Sequence, residues 1–362
     1  MRSLFQRIRY THHLPVAAGV DLGGTAVNYT FVDGDERFLI EALCEHPARS
    51  REGPDICLQQ IADGLEAACA LAGIPLASVC AVGLDTPGPA SSEGVLSEKG
   101  STNFVHPDWA SFDMRGGLEA KLGRPVTYVN DGNAAALWGH FVIFGAASNA
   151  TSVSAIVGTG LGGGVIINDT VLTGRKGFGG ELGHVLVPWQ SIAGLESESR
   201  PVCNCGRTGD LESVCSLTAI ERYLLPVFLR RYPAHALAEL PVRDAAKRVR
   251  GLAERGDEMC RDIFRVQAHA LGLFFDEMVN TFDPDALIVG GGAIETGLEF
   301  QDWFVAEIRA GMPVQRHEQV DIPIRIMPNG DTAGARGAAL QALQLARRTG
   351  LIRQNQSTTG MF

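Results

Sequence analysis

The chain has 362 residues, a length that predicts about two domains. Its 31 basic and 41 acidic side chains give a formal net charge of −10, which argues against nucleic acid as a partner because phosphates attract basic surfaces. With 45% hydrophobic and 20% charged residues, and without an apolar run of about 18 residues, the sequence is typical neither of a disordered protein nor of one that spans a membrane.

The eight cysteines are not spaced like a disulfide framework. Most of them stand singly along the chain, and only Cys203, Cys205 and Cys215 lie close together. Residues 1–14 lack the apolar core of a signal peptide. We therefore expect a reduced, cytoplasmic protein in which residues 1–14 form an exposed extension.

The first half of the chain opens with a hairpin. Two apolar runs, 15–21 and 26–33, predict strands, and a glycine pair between them predicts a turn rather than a strand–helix unit. Four further elements follow in chain order: a helix over 54–72, a strand over 79–85 closed by the breaker TPGP, a strand over 125–131 and a helix over 133–146.

The second half repeats this opening. Residues 152–158 and 165–172 predict two strands joined by the glycine-rich turn 158–164. Later elements are a long amphipathic helix over 257–282, a strand–turn–helix unit over 285–297 and a closing helix over 334–348. The simplest organisation is an N-terminal α/β lobe over 15–132 that includes the closing helix, a larger α/β lobe over 133–333, and a polar tail over 349–362.

Three glycine clusters lie at predicted strand ends, where bare backbone can approach a ligand closely. They are Gly23-Gly24-Thr25, Gly158-Thr159-Gly160 and Gly290-Gly291-Gly292. The first two could bind phosphate oxygens through their N–H groups, and the third would let a flat base lie against the backbone. Each cluster alone could equally be a tight turn, but three at strand ends favour a nucleotide.

Two common nucleotide-binding motifs do not fit these clusters. A dinucleotide-binding Rossmann unit needs a helix directly after its glycine loop, whereas 165–172 is strand-like, and the sequence contains no P-loop motif. Because the turns carry no lysine, a divalent cation must help to neutralise the phosphates. Asp21, at a strand end beside the first turn, is the candidate Mg²⁺ anchor, or else a turn cap.

Taken in order, these and other motifs resemble the ROK family (repressors, open reading frames, sugar kinases). The motifs lie within residues 15–348 and are DLGGT (21–25), TNF (102–104), VNDGNAAALWG (129–139), VGTGLGGG (157–164), GGELGH (179–184), CNCGRTGDLES (203–213) and VGGGAIETG (289–297). The resemblance implies an α/β, two-lobed actin-like ATPase (RNase H-like) fold with the active site in the interlobe cleft. The family also includes repressors with an N-terminal helix-turn-helix, for which residues 1–14 are too few.

Asp131 is the candidate general base for phosphoryl transfer to a sugar hydroxyl. It lies between a predicted strand and a predicted helix, where it could act as a base or merely as an N-cap. The resemblance at Asn130-Asp131 favours catalysis. It also implies sugar contacts by five residues, namely Asn103, Asn130, Glu181, His184 and Glu212. Of these, Glu181 and His184 are three residues apart and would share one face of a helical turn.

The resemblance further implies a structural zinc site, although its motif is altered. The family binds zinc through a histidine and the three cysteines of C-x-C-G-x-x-G-C, and here Asp210 replaces the third cysteine. His184, Cys203, Cys205 and Asp210 still offer four ligands, because aspartate also binds Zn²⁺. Cys215 is an alternative thiolate ligand, and loss of the zinc is the other alternative.

The sequence therefore predicts an ATP- and Mg²⁺-dependent hexose kinase, most simply a glucokinase that phosphorylates the 6-hydroxyl of its sugar. Alternatives are a kinase of an N-acetylhexosamine or of fructose and, from another class, a sugar-sensing protein without catalysis. The resemblance implies a homodimer, and neither nucleic acid nor a membrane is an expected partner.

Overall fold

The chain folds around two five-stranded sheets, as seen in the computed structural model, which describes residues 14–88, 90–98, 103–145, 147–313, 316–328 and 330–352. The strands are β1 (Val16–Leu22), β2 (Ala26–Val32), β3 (Cys44–Pro47), β4 (Val79–Thr86), β5 (Val126–Asn130), β6 (Ser152–Val157), β7 (Leu161–Ile167), β8 (Thr170–Val171), β9 (Ala286–Gly290) and β10 (Ile324–Ile326). The first sheet has the order β3-β2-β1-β4-β5 and the second the order β8-β7-β6-β9-β10, so the same topology occurs twice.

Each sheet combines an antiparallel hairpin with parallel strands. β1, β2 and β3 pair antiparallel, whereas β4 and β5 run parallel to β1, and the second sheet repeats this pattern. Parallel neighbours need crossover connections, which helices supply. The two hairpins predicted from the glycine turns are thereby confirmed, as is the α/β class.

Helices connect the parallel strands of both sheets. They are α1 (Pro54–Ala72), α2 (Met114–Leu122), α3 (Asp131–Phe144), α4 (Leu217–Ala219), α5 (Leu225–Arg231), α6 (Val242–Glu254), α7 (Glu258–Phe282), α8 (Leu298–Ala310) and α9 (Ala333–Arg348), with a π-helical segment over Ile220–Leu224 between α4 and α5. α1 and α2 connect β3, β4 and β5 in turn, while α4 to α8 connect β8, β9 and β10.

Local signals explain the ends of α1, which agree with the predicted helix. Pro54 occupies its first turn, where the missing N–H costs no hydrogen bond, and Gly73 ends it in the left-handed conformation at φ 70°. None of the described helices is long and apolar enough to cross a membrane.

The described residues form two compact units. The first contains the residues up to Ala134, Arg175–Phe178 and those from Thr332 onwards, and the second contains Ala135–Gly174 and Gly179–Asp331. Each unit has its own hydrophobic core of fully buried aliphatic and aromatic side chains. The expected extension at 1–14 lies outside the described residues apart from Leu14, and so does the expected tail beyond residue 352.

In the first unit α9 lies directly on β1 and β4, because glycines face it from both strands. A Cβ atom placed on Gly19 would lie 1.9 Å from the carbonyl oxygen of Ala335, and one on Gly83 would lie 1.9 Å from that of Ala338. Since both obstacles are helix backbone, no side-chain rotation can relieve the clash. This close packing holds the start of α9 at the ends of β1 and β4.

Gly83→Ala is therefore expected to destabilise the protein strongly. The added methyl group must displace α9, and overpacking of this kind costs about 3 kcal/mol or more. Urea unfolding measures the loss. The matched control is Gly251→Ala in α6, where the nearest atom to an added Cβ is the flexible Arg255 guanidinium at 3.4 Å. That change should stabilise the helix by up to about 1 kcal/mol, and equal stability of the two variants would contradict the packing argument.

Candidate active site

The first glycine turn joins β1 to β2 and has an exposed tip. The Gly23 N–H donates to the Ala26 carbonyl oxygen at 2.9 Å, and the Thr25 side chain is exposed. Asn103 comes from a distant loop to lie against this turn, since a Cβ on Gly24 would be 2.7 Å from its Oδ1. A residue predicted to bind phosphate and one predicted to bind sugar are thus neighbours.

Ser50, which the sequence analysis did not single out, connects these two segments. Its Oγ lies 3.2 Å from the Gly24 carbonyl oxygen and 3.0 Å from that of Asn103. The buried Trp109 indole in turn donates to the Ser50 carbonyl oxygen at 2.7 Å. No local signal marks Ser50, because both of its partners are distant in sequence.

Asp21 lies near the end of β1, beside the first turn. Asn28 donates from Nδ2 to Asp21 Oδ2 at 3.2 Å, but burial outweighs this bond and raises the pKa of Asp21 above its ordinary value. The parallel register of β1 and β4 sets Asp85 beside Asp21. Asp85 is fully buried, and in the sequence it is the last residue of the strand predicted over 79–85.

Asp131 is the first residue of α3 and follows β5 directly. The Asn133 N–H donates to Asn130 Oδ1 at 2.8 Å, which is the bond an N-cap residue makes. Asp131 is exposed, and its Oδ1 accepts the N–H of Gly132 at 2.8 Å. The capping role considered for Asp131 therefore belongs to Asn130.

The second glycine turn joins β6 to β7 and is shorter than predicted. The Gly158 N–H donates to the Gly160 carbonyl oxygen at 2.9 Å, and the Thr159 side chain at the tip is exposed. The prediction of a turn over 158–164 is wrong for its last part. Gly162–Gly164 belong to β7, because they pair with Ser154–Ile156 of β6.

The Glu212 side chain contacts this second turn at the start of β7. The Leu161 N–H donates to Glu212 Oε2 at 2.9 Å, and a Cβ on Gly160 would lie 2.5 Å from the same oxygen. Thr218 adds to the support, because its Oγ1 donates to the Thr159 carbonyl oxygen at 2.7 Å. The turn is thus held by hydrogen bonds to two side chains that are distant in sequence.

The third glycine cluster follows β9 and lies next to the second turn. Gly291 has a φ of 94°, which favours glycine, and a Cβ there would lie 2.5 Å from the Val157 carbonyl oxygen. Within the described residues no atom lies within 4 Å of a Cβ placed on Gly292. Gly290 and Gly291 are therefore packed against neighbours. The Gly292 carbonyl oxygen accepts a hydrogen bond from the Arg250 guanidinium, while the side of Gly292 on which a Cβ would stand borders open space.

The four predicted zinc ligands come together in the second unit. His184, Cys203, Cys205 and Asp210 each place a ligand atom within 4.8 Å of the others. His184 Nδ1 lies 3.2 Å from Asp210 Oδ2 and 3.7 Å from Cys203 Sγ, and Cys205 Sγ lies 3.6 Å from Asp210 Oδ2. The edges of a zinc tetrahedron with nitrogen, oxygen and sulfur ligands are about 3.3–3.8 Å long, so these residues fit the ion.

The surroundings of Asp210 orient one of its two carboxylate oxygens towards His184 and Cys205. The side chain is fully buried, and the Ser213 N–H donates to Oδ1 at 3.0 Å, which leaves Oδ2 facing His184 and Cys205. Cys215, the alternative thiolate, is not part of the cluster and packs in the core of the unit. All eight cysteines are free thiols.

Glu181 precedes a short 3₁₀ turn over Leu182–His184, and His184 is the last residue of that turn. The His184 N–H donates to the Glu181 carbonyl oxygen at 3.2 Å, and the Glu181 side chain is exposed. Glu212 connects this region to the cluster, because the Cys203 thiol donates to Glu212 Oε1 at 3.3 Å. Glu212 therefore contacts both Cys203 of the candidate metal-binding group and the second glycine turn.

The sequence profile of one protein family matches residues 17–345, which is most of the chain. It is the profile of the ROK family. The chain belongs to the ROK family. Among curated proteins, the glucokinase of Thermotoga maritima is 32% identical to this chain over 287 residues. The match covers 77% of this chain and 82% of that enzyme. The N-acetyl-D-glucosamine kinase of Haemophilus influenzae is 26% identical and covers 89% of this chain and 97% of its own length.

Solved structures of ROK proteins share the fold over nearly the whole chain. The ROK hexokinase from Thermus thermophilus has a TM-score of 0.73 at 30% identity. The superposition covers 92% of this chain and 99% of the hexokinase chain. A ROK family glucokinase from Streptomyces griseus, in complex with glucose and AMPPNP, has a TM-score of 0.67 at 28% identity and covers 91% and 99%. The expected actin-like ATPase fold of ROK sugar kinases is thereby confirmed.

Proposed function

We propose that this ROK protein is an ATP-dependent hexose kinase of glucokinase type, which transfers the γ-phosphoryl group to the sugar 6-hydroxyl. The observation that carries the proposal is a repeated turn. In each sheet the equivalent hairpin, β1–β2 or β6–β7, has a glycine turn with an exposed threonine at its tip. The glucokinase from Streptomyces griseus, a relative with the same fold, binds both glucose and an ATP analogue.

Asp131 is the proposed general base. Its exposed carboxylate at the start of α3 lies in the positive field of the helix N-terminus, which favours the ionised form that can accept a proton. Since Asn130 caps the helix, the position of Asp131 is not explained by capping. In the proposed step, the oxygen of the sugar hydroxyl attacks the γ-phosphorus while Asp131 accepts the hydroxyl proton, and ADP leaves.

The turns at Gly23-Gly24-Thr25 and Gly158-Thr159-Gly160 are the proposed phosphate-binding segments, and Gly290-Gly291-Gly292 the proposed adenosine-binding one. Backbone N–H groups in tight turns form concave sites for anions, which suits turns without lysine. The open space at Gly292 suits a flat base. Asp21 is the proposed anchor of Mg²⁺, which when bound neutralises charge on the phosphates.

Asn103, Asn130, Glu181, His184 and Glu212 are the proposed sugar-binding residues. His184 can combine this role with metal binding, because Nδ1 faces Asp210 and Cys203 while Nε2 remains the nitrogen for a sugar hydroxyl. The proposed structural Zn²⁺, bound by His184, Cys203, Cys205 and Asp210, would fix the imidazole in that orientation. If Cys203 were held as a thiolate by the ion, its Sγ would have no proton to donate, and Glu212 Oε1 would then be able to accept a hydrogen bond from a sugar hydroxyl.

An assay of ADP release across glucose, mannose, fructose, N-acetylglucosamine and N-acetylmannosamine tests the proposal. We expect glucose to give the highest kcat/KM, because a site of bidentate polar groups rejects analogues whose hydroxyls do not match. Preference for an N-acetylhexosamine would instead support the alternative suggested by the relative from Haemophilus influenzae.

The same protein sample distinguishes a kinase from a non-catalytic sugar sensor. A sensor would show sugar-dependent thermal stabilisation, about 2.7 kcal/mol at a sugar concentration of 100 Kd, without any release of ADP. Absence of ADP release with every sugar, from protein that binds at least one of them, would overturn the proposed function.

A further inference from the structure

Asp85 is a buried carboxylate in the first unit that makes no ion pair with a positively charged side chain among the described residues. Its side chain has no solvent exposure, neither oxygen meets a well-placed donor within the described part of the chain, and its neighbouring side chain is another carboxyl, that of Asp21. A buried ionised group is strongly unfavourable unless an opposite charge or donors compensate it. Asp85 lies outside the glycine and sugar motifs, so the proposed function assigns it no role.

The fold directs Asp85 and Asp21 towards the same small space. They are register partners on the parallel strands β1 and β4, so their side chains point to the same face of the sheet. A Cβ on Gly334, in the first turn of α9, would lie 3.1 Å from Asp85 Oδ2 and 3.3 Å from Asp21 Cγ. Two carboxylates therefore converge on the N-terminal turn of a 16-residue helix.

The charges around Asp85 are negative. The side chain beside the fully buried Asp85 is a second carboxylate, that of its register partner Asp21. Within the described part of the chain, no lysine, arginine or histidine forms an ion pair with Asp85 or Asp21. The Asn28 amide donates one hydrogen bond to Asp21, and the α9 N-terminus carries a partial positive charge smaller than one elementary charge, so neither balances two carboxylates.

We propose that Asp85 and Asp21 together form a divalent-cation site in which Asp85 is a direct ligand. The site offers carboxylate oxygens alone, which selects a hard cation such as Mg²⁺ or Mn²⁺ rather than zinc. Asp21 is only partly buried, so a cation reaches the pair from its side. Magnesium commonly binds to one or two carboxylates and completes its shell with water and substrate phosphates.

This inference rests on the proposed function only for the role of the cation in catalysis. The cation can bind whether or not the protein transfers a phosphoryl group. With two carboxylates, the site should bind the cation in the absence of a nucleotide. If the cation arrived solely as the nucleotide complex, the free protein would show no such binding. The difference can be measured without an activity assay.

The test is titration of the nucleotide-free protein with Mn²⁺, with free Mn²⁺ measured by electron paramagnetic resonance. We expect the unaltered protein to bind Mn²⁺ at this site, and Asp85→Asn to weaken that binding at least about tenfold. Asp21→Asn should have a similar effect. The matched control is Asp33→Asn, a buried aspartate of the same unit whose Oδ1 accepts N–H bonds from Asp35 and Arg37. This control should bind Mn²⁺ like the unaltered protein.

Unchanged Mn²⁺ affinity in Asp85→Asn would overturn the proposal and would instead indicate that the two carboxyl groups share a proton. Absence of nucleotide-free binding in the unaltered protein would overturn it as well. Asparagine has nearly the same shape as aspartate, and thermal melting without cation checks that the variant folds. As a second measurement, Mn²⁺ should raise the melting temperature of the unaltered protein and not that of Asp85→Asn. Kinase activity with normal Mn²⁺ binding by Asp85→Asn would reject this inference and leave the proposed function standing.

Discussion

Asp131→Asn is expected to lower kcat for hexose phosphorylation at least about 100-fold while sugar binding persists, because general-base catalysis contributes about 10² to 10⁴ to the rate. The asparagine side chain keeps an oxygen that can accept the Gly132 N–H but cannot take a proton from a sugar hydroxyl. Steady-state kinetics measure kcat, and sugar-dependent thermal stabilisation reports binding independently of turnover.

Asp113→Asn is the matched control for this prediction. Asp113 also stands at the start of a helix of the first unit, where its Oδ1 accepts the Gly116 N–H at 2.7 Å as the N-cap of α2. Asparagine caps helices as well as aspartate does, so this variant should keep both stability and kcat. If Asp131→Asn retained full kcat, Asp131 would not be the base. If it failed to bind sugar, its role would be in binding rather than in proton transfer.

The purified protein is expected to contain about one zinc per chain, and Cys203→Ser to lose it with a large drop in thermal stability. Removal of one of four ligands should weaken zinc binding at least about 100-fold, since even changes to groups around a metal site cost about 10- to 100-fold. Elemental analysis and thermal melting measure the two effects. Because binding a structural metal contributes directly to folding, chelation of the unaltered protein should lower its melting temperature similarly.

Two further variants decide whether Asp210 or Cys215 is the fourth ligand. Asp210→Asn should lose zinc, because the Oδ2 atom that faces His184 and Cys205 would no longer belong to a carboxylate. Cys215→Ala should keep zinc, since Cys215 lies in the hydrophobic core. Asp210→Cys should restore the family pattern and bind zinc more tightly. Zinc retained in Asp210→Asn but lost in Cys215→Ala would reverse the assignment, and a zinc-free unaltered protein would remove it.

Local chemistry made part of this fold predictable. The helix over 54–72 has the expected ends because Pro54 and Gly73 act on their own backbone, whatever the rest of the chain does. The first hairpin was predictable for the same reason. The second turn was predicted too long, because glycines at Gly162–Gly164 resemble a loop in sequence although β6 pairs with them as a strand.

The chemistry of single positions could also be inferred from the sequence, but the neighbours of each residue could not. The residue types over 203–213 predicted that two thiols and the Asp210 carboxylate could lie together with His184, and the structure brings these four side chains together. The contact of Glu212 with the Leu161 N–H, and of Asn103 with Gly24, depends on how distant loops pack. Capping by Asn130 rather than Asp131 depends on side-chain geometry at the helix start.

By itself, the sequence determined the hairpin turns and the ends of the helix over 54–72, because each follows from a few consecutive residues. It also supplied the side chains that are proposed to bind phosphate, sugar and metal. Only the tertiary structure decided that Asp85 lies beside Asp21. That pairing arises from the register of β1 with β4, two strands separated by a hairpin and a helix, and from α9 packed on both. Strand register is set by burial and hydrogen bonding across the whole sheet, and no short stretch of the chain encodes it.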